Sequence, residues 1–378
     1  MSGINPSEEL AALKSSKLHR QLRTVDSNSG TRISIAGEEL WNFSSNDYLG
    51  LASHPKITGA FIEGIQRYGA GSTASRLVIG TSSPHTLLEE TIACSKQSEA
   101  ALTFTSGFAT ALSAIPTIVG KGDFVFLDKL SHASLIDASR ASGATLRVFP
   151  HNDHLELDRL LKRARQRSTS RILVATESVF SMDGDLCPLE EILEVCETHG
   201  AELLLDEAHA IGVLGKKGMG LAEQLGVQSR VHFQMGTLSK AIGLSGGYLA
   251  ASREWVDLIT NRARAFIYTT APPPAIAHAA RAAFELIRSE DGSDLRERLF
   301  RNIAILRANH PSAILPIILG DNETALATSE SLREKGFLIP AIRFPTVPKG
   351  TARLRLTISA LHTEEIVREI SDLLPSGI

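Results

Sequence analysis

From about residue 85 onward the chain alternates between two spacings of apolar positions. Short, almost wholly apolar runs occur at AALTF, DFVFLD (123–128), TLRVF (145–149), RILVATE (171–177) and AELLLDEAH (201–209). Between them lie stretches whose apolar residues recur every three or four positions: HTLLEETIACSKQ, FATALSAIPTIV, SLIDASRAS, LELDRLLKRARQ and PLEEILEVCETHG, the last stopped by Gly200. The first spacing predicts strands buried on both faces, and the second predicts helices with one apolar face. Their alternation predicts an α/β fold with a largely parallel sheet covered by helices on both sides, in which ligands bind beyond the carboxyl ends of the strands.

The flanks read differently. Residues 7 to about 25 carry Leu10, Leu13, Leu18 and Leu22 at roughly the spacing of one helical face, which must dock on the body of the chain or on a second subunit. TRISIAGEELWNFSSNDYLG (31–50) predicts short strands and then a polar turn at Asn46 and Asp47, and RYGAGSTASRLVIGTSS (67–83) predicts a loop. VHFQMGTLSK and SGGYLA follow residue 230, with a helical run from about 252. The three prolines of TTAPPPAI (269–276) interrupt regular structure and mark a domain junction. Beyond them come two long helices, a strand at 314–319, a helix around ALATSESLREKG, strands near FLIPAI and RLRLTI, and a last helix from about 363. The expected division is an N-terminal arm (1–45), a large domain (46–275) and a small C-terminal α/β domain (276–378).

Composition narrows the function. With 378 residues, 43% of them hydrophobic and 21% charged, the chain has ample core material, and a formal charge of −3 argues against a nucleic-acid partner. The opening MSGINPSEELAALKSSKLHRQLRTV lacks the apolar centre of a secretory signal, and no run approaches the ~20 apolar residues of a membrane span, so a cytoplasmic location without membrane attachment is expected. Cys94, Cys187 and Cys196 are too few for a disulfide scaffold and too scattered for a close-spaced metal pair.

Several residues at strand ends carry chemistry. Asp206 follows LLL, so a buried strand delivers its carboxylate to a sheet edge, with His209 three residues later. Such a pair can be simply hydrogen-bonded, or can supply two ligands to a divalent metal, although no third His or carboxylate stands at a diagnostic spacing. Lys240, in TLSKAIG, lies between an apolar strand and glycines 243, 246 and 247, a setting for a partly buried amine whose lowered pKa suits attack on a carbonyl. Ser106-Gly107 follows a strand and opens a helix, where free backbone N–H groups can receive a phosphate.

These residues lie within motifs that run nearly end to end: NFSSNDYLGL, YGAGSTASRLVIGT, LTFTSGFATA, DKLSHASLIDA, TESVFSMDGDLCPL, LLLDEAHAIGVLGKKGMG, GTLSKAIGLSGGYLA, FIYTTAPPPA and PTVPKGTARLRLTISALHT. In these, and in their order, the chain resembles the α-oxoamine synthases, pyridoxal-phosphate enzymes of fold type I that join an amino acid to an acyl thioester with loss of carbon dioxide. The resemblance implies a large domain with a mostly parallel seven-stranded sheet between helices, a smaller C-terminal α/β domain, and pyridoxal 5'-phosphate as cofactor. It makes Lys240 the Schiff-base lysine, Asp206 the partner of the pyridine nitrogen, His209 the donor to the ring's phenolic oxygen and His132 the residue stacked on the ring. Ser106, Gly107 and Phe108 become the phosphate-binding turn, Phe108 through its backbone, with a hydroxyl from Thr237 and with Ser178 at a site-lining strand end. Thr269 and Thr270 complete the phosphate site from a neighbouring subunit, which implies a homodimer with shared active sites. Glu177 lies near the substrate, Asn46 near the site entrance, Thr346 on the substrate side, and Arg355 holds the substrate carboxylate. Arg20 guards the acyl-chain entrance, with Arg23 as its alternative.

Within the family the chain is most similar, through PTVPKGTARLRLTISA and its short N-terminus, to the branch that condenses alanine with a pimeloyl thioester, on CoA or a carrier protein, in biotin synthesis. The serine-rich STASRLVIG and the tyrosine of SGGYLA depart from that branch's pattern and bear on the acyl channel. The alternatives are the glycine and acetyl-CoA branch, an aminotransferase, and an inactive partner subunit; retention of Lys240, Asp206, His209 and His132 together counts against the last.

Overall fold

The computed structural model describes residues 4–28, 30–166 and 170–375. After a short helix, Pro6–Ser15, the chain forms β1 (Ser27–Asn28), β2 (Arg32–Ile35) and β3 (Glu38–Asn42), an antiparallel meander. The large sheet follows, built from β4 (Ala100–Phe104), β5 (Phe124–Asp128), β6 (Thr145–Phe149), β7 (Ile172–Glu177), β8 (Glu202–Asp206), β9 (Phe233–Thr237) and β10 (Gly247–Ala251). Its order is β4-β10-β9-β8-β7-β5-β6, with β10 antiparallel to both neighbours and the remaining pairs parallel. The sheet is thus seven-stranded and mostly parallel.

Alternation along each strand explains why both faces are covered. Leu203 and Leu205 enter one apolar cluster and Leu204 between them enters the other, as period-two geometry requires. Each such leucine removed from water contributes about 1.5–3 kcal/mol. The strand order reverses between β5 and β7, and the crevice beyond their carboxyl ends is the place where this class of sheet binds ligands.

A second, three-stranded antiparallel sheet is made of β11 (Ile314–Gly320), β13 (Ala341–Ile342) and β14 (Ala352–Thr357), in the order β11-β14-β13. The segment FLIPAI does not enter it whole. Its first half is β12 (Phe337–Leu338), which pairs in parallel with β3 and joins the arm sheet to the C-terminal region. The reason is local: Pro340 separates the two short strands and cannot donate to a ladder.

Three other expectations change. The 67–83 segment contains a compact π-type turn at Arg76–Gly80. The N-terminal helix ends at Ser15, so Leu18 and Leu22 lie outside it, and none of its residues is buried against this chain. The proline run does not only interrupt structure: Pro274 opens the helix Pro274–Ile287, where a missing N–H costs nothing, and that helix packs against Pro55–Tyr68 and Ser83–Ser95. No helix among the described residues is long and apolar enough to cross a membrane.

Candidate active site

Strands β5, β7 and β8 each end in a buried carboxylate, Asp128, Glu177 and Asp206, and the parallel register sets Glu177 directly beside Asp206. Asp206 accepts one hydrogen bond, from the Ala208 N–H at 2.9 Å. Burial raises its pKa, while the Lys240 ammonium pulls it back. Burial and then the Asp206 charge push Glu177 up to about 8, so at neutral pH Glu177 is largely a neutral acid. It accepts the His132 N–H at 2.5 Å.

Lys240 stands on the turn after β9. Gly243 in that turn has φ +76° and packs so closely on Leu51 and Ala52 that a Cβ would lie 2.4 Å from the Ala52 nitrogen. Glycine is therefore needed there on both counts. Lys240 Nζ lies 2.8 Å from His209 Nε2. Burial lowers the Lys240 amine to about 8, against the opposing pull of Asp206 and Glu177. Burial, and then the charges of Lys240 and Arg355, hold His209 well below the ordinary imidazole range, so it is neutral.

His209 is also bound from behind. Its Nδ1 lies 2.7 Å from the Tyr48 hydroxyl, which is 3.1 Å from Asn46 Oδ1. That oxygen accepts both terminal N–H groups of Arg355, each at 3.2 Å. Arg355 Nε donates to the Ser181 carbonyl at 2.6 Å. The structure thus brings Lys240, His209, Asn46 and Arg355 into one chain of contacts through Tyr48, a residue to which sequence reasoning gave no role.

A cradle for an anion is built where the helix after β4 begins. Ser106 caps the helix Gly107–Ile118, its hydroxyl accepting from the Ala109 N–H at 3.1 Å. The Gly107 and Phe108 N–H groups, in the first turn, have no intrahelical acceptor. Gly247 on β10 backs the turn so tightly that a Cβ there would sit 2.7 Å from the Gly107 nitrogen. Thr237, whose hydroxyl donates to the Gly246 carbonyl at 2.8 Å, closes the side. The Phe108 ring points outward and is 41% exposed, in keeping with a backbone role.

His132 caps the helix Ala133–Ser142: its Nδ1 accepts the Ser134 N–H at 3.2 Å, so the neutral ring carries its proton on Nε2, and the residue is exposed. Burial lowers its pKa. Ser178 is buried, with its hydroxyl and N–H both on the Asp206 carbonyl. Arg20 and Thr346 meet at 3.5 Å on the exposed rim, and no described contact joins them to the Lys240 cluster. Nor do Thr269 and Thr270 reach it: Thr269 donates to the Ala265 carbonyl and Thr270 bridges to Ser75. Arg353 is bound by Asp183 at 2.5 Å and by the Met182 carbonyl, which leaves Arg355 as the arginine of this strand that faces the cluster.

Besides Tyr48, sequence reasoning missed the bracket of His151 by Asp128 at 3.0 Å and Asp185 at 2.8 Å, which ties the loops after β5, β6 and β7 together. The signal for Tyr48 was its place in NDYLGL beside Asn46; nothing in the sequence marked His151.

A class I and II aminotransferase family model matches residues 38–374. The chain is 46% identical to the 8-amino-7-oxononanoate synthase of Geobacter sulfurreducens over 94% of this chain and 93% of that one. It is 44% identical to that of Herminiimonas arsenicoxydans, over 94% of each. Among solved structures it is similar to serine palmitoyltransferase of S. paucimobilis with bound PLP and myriocin, at a TM-score of 0.91 and 29% identity over 97% of this chain and 95% of that one. It is also similar to 8-amino-7-oxononanoate synthase of Francisella tularensis, at a TM-score of 0.74 and 26% identity over 88% of this chain and 96% of that one. The chain belongs to the α-oxoamine synthase family of fold type I pyridoxal-phosphate enzymes. Within that family its similarity is to the 8-amino-7-oxononanoate synthases, which places it with the decarboxylative condensations of biotin synthesis in general terms.

Proposed function

We propose that the protein binds pyridoxal 5'-phosphate and condenses L-alanine with a pimeloyl thioester, on CoA or a carrier protein, to give 8-amino-7-oxononanoate, free thiol and carbon dioxide. The observation that carries this reading is the facing of a buried, singly hydrogen-bonded carboxylate, Asp206, and a half-buried amine, Lys240, beside a helix-capped anion cradle. A buried carboxylate needs a cationic partner, and the protonated ring nitrogen of the cofactor fits that need. Lys240 would hold the cofactor covalently, Gly107 and Phe108 with Ser106 and Thr237 would take its phosphate, His209 would meet its phenolic oxygen and His132 would lie against the ring.

When bound, the cofactor supplies an imine-forming carbonyl and a ring that accepts the electron pair released at the α-carbon of an amino acid. The chain does the rest. Arg355 presents a planar fork to the substrate carboxylate and so fixes which α-bond faces Lys240. Lys240, with a pKa of about 8, is matched to taking and returning the α-proton near neutral pH. His132, with Nδ1 taken by the Ser134 N–H and its proton therefore on Nε2, would stabilise negative charge developing on the thioester oxygen. Glu177, protonated and bound to the His132 N–H, fixes that loop without adding a second negative charge beside Asp206. Thr346 and Arg20 lie at the rim, where the acyl chain would enter. The active unit would be a homodimer in which Thr269 and Thr270 serve the partner's phosphate site, working in the cytoplasm.

The test is absorbance of the purified protein during titration with L-alanine, glycine and L-serine, followed by a thioester. A band near ~420 nm that changes with alanine, with free thiol and carbon dioxide on adding pimeloyl-CoA, is the expected result. A response to glycine alone with acetyl-CoA turnover would instead assign the glycine branch. No band after added pyridoxal phosphate would overturn the cofactor reading.

A further inference from the structure

We infer that Tyr48 is a positioning residue that sets which nitrogen of His209 carries its proton, and that the arrival of a carboxylate at Arg355 weakens that setting. The inference rests on the proposed cofactor site. It follows from counting protons along the contacts already described. Neutral His209 has one N–H and one lone pair, and Tyr48 has one O–H, which can go to His209 Nδ1 at 2.7 Å or to Asn46 Oδ1 at 3.1 Å. Both lone pairs of Asn46 Oδ1 already face N–H groups of Arg355. Once the Lys240 amine, an N–H donor 2.8 Å from Nε2, is taken up by the cofactor, the Tyr48 proton belongs to His209 Nδ1 and Nε2 is left as the donor toward the cofactor's phenolic oxygen. Tyr48 is 1% exposed, so its hydroxyl is shielded from bulk water.

A substrate carboxylate that draws the Arg355 N–H groups away frees Asn46 Oδ1. The Tyr48 proton then has a second acceptor, and its hold on His209 Nδ1 weakens. With a weaker hydrogen bond drawing on Nδ1, the Nε2–H becomes a poorer donor, and no proton changes place on the ring. The donor that stabilises a phenolate at the cofactor is thereby reduced when, and because, an amino acid is bound. The charged or titratable groups facing His209 are Lys240, Arg355 and His132, with Asp206 and Glu177 at the adjoining strand ends. Tyr48→Phe removes none of these groups, although it takes the hydroxyl away from the Arg355 guanidinium.

The experiment is a pH titration of the visible band of the holoenzyme, with and without propionate as an unreactive carboxylate, in wild type, Tyr48→Phe and Asn46→Ala. In Y48F the midpoint is expected to rise by about one pH unit, a tenfold change in proton affinity, because Nε2–H is no longer enforced. Propionate adds charge as well as displacing Asn46, so it raises the midpoint in every variant; the relay predicts a smaller rise in Y48F and N46A than in wild type. N46A removes the acceptor that a carboxylate would free, so its propionate shift, read against its own resting midpoint, decides the matter alone if Y48F does not fold. A Y48F midpoint equal to wild type, or equal propionate shifts in all three proteins, would overturn the inference. Absence of any visible band in wild type would instead overturn the cofactor reading beneath it.

Discussion

Lys240 shows how one side chain is tuned by what surrounds it. Burial alone lowers its amine, and the carboxylates Asp206 and Glu177 hold it from falling further, which leaves it at about 8. The neutral amine is the form that attacks a carbonyl, so cofactor loading of the apoprotein should speed up as pH rises through about 8 and level off above it. Removing the Asp206 charge removes a stabiliser of the ammonium. In D206N the midpoint of that loading curve should therefore move to lower pH, although the loaded ring loses its counter-ion and turnover falls by orders of magnitude. Stopped-flow absorbance over a pH series gives both numbers; an unmoved midpoint in D206N would mean that the two groups are not coupled. Arg355 gives the complementary case. Its planar fork is held by Asn46 and by the Ser181 carbonyl, so R355K keeps the charge but loses the two-pronged geometry. The expected result is a KM for the amino acid raised at least tenfold, with the visible band intact.

At the scale of elements, two buried devices hold loops that carry the site. Lys96 and Glu207 form a fully buried ion pair; Lys96 also donates to the Met219 carbonyl at 2.7 Å, and Glu207 accepts the Ala222 N–H at 2.9 Å. The residue next to Asp206 is thus anchored to the far end of the loop that follows it. Removing one partner strands the other charge in the core, and K96M should cost about 3–5 kcal/mol in chemical denaturation. His151 is the second device. Burial would lower its pKa, but hydrogen bonds to the Asp128 and Asp185 carboxylates outweigh that and push it up to about 10. A raised imidazole stabilises fully below its ordinary value of about 6.5 and loses that contribution as pH climbs through about 10. Wild type should therefore lose thermal stability between pH 7 and 10.5 by an amount that H151Q does not; parallel slopes in the two proteins would contradict this. These devices also mark what the sequence could tell. Strands β4, β5, β7 and β8 were legible because each is a largely apolar run of strand length, and Lys240 and Asp206 because each sits where a buried strand breaks into small or polar residues. Tyr48 was not, since its partner His209 lies 161 positions away and a tyrosine in a polar turn has no periodicity to betray burial. The split of FLIPAI between two sheets was equally hidden, because pairing partners are chosen by tertiary packing and two-residue strands carry almost no pattern.

The whole molecule exposes apolar surface where a lone subunit has no use for it. Leu77, Val78 and Ile79, on the Arg76–Gly80 turn, are 51%, 72% and 75% exposed, and Tyr268 is 72% exposed. They form one region, because Ser75 bridges Thr270 and the Ala271 N–H donates to the Ala74 carbonyl at 3.0 Å. Arg76 beneath them is locked by Glu89 at 2.9 Å and 3.0 Å and by Thr103, so the turn is presented rigidly. A contiguous, rigid apolar patch of this kind suits the proposed second copy of the chain, and its edge carries Thr270, one of the two threonines that do not reach their own Lys240 cluster. A second copy of the chain, placed by two-fold symmetry, would cover the patch and deliver that threonine to the neighbouring phosphate cradle. Two outcomes should follow. In sedimentation velocity the wild type runs as a dimer, and V78D with I79D shifts it toward monomer with loss of the visible band. Mixed dimers of T270A with K240A carrying a bulky second change at Gly107 place all lesions in one site and leave the other built from intact residues. Reassembly of those two inactive proteins should restore up to about a quarter of wild-type activity, as two-fold pairing statistics allow. Dimers that form and stay inactive would show that each site is completed by its own chain.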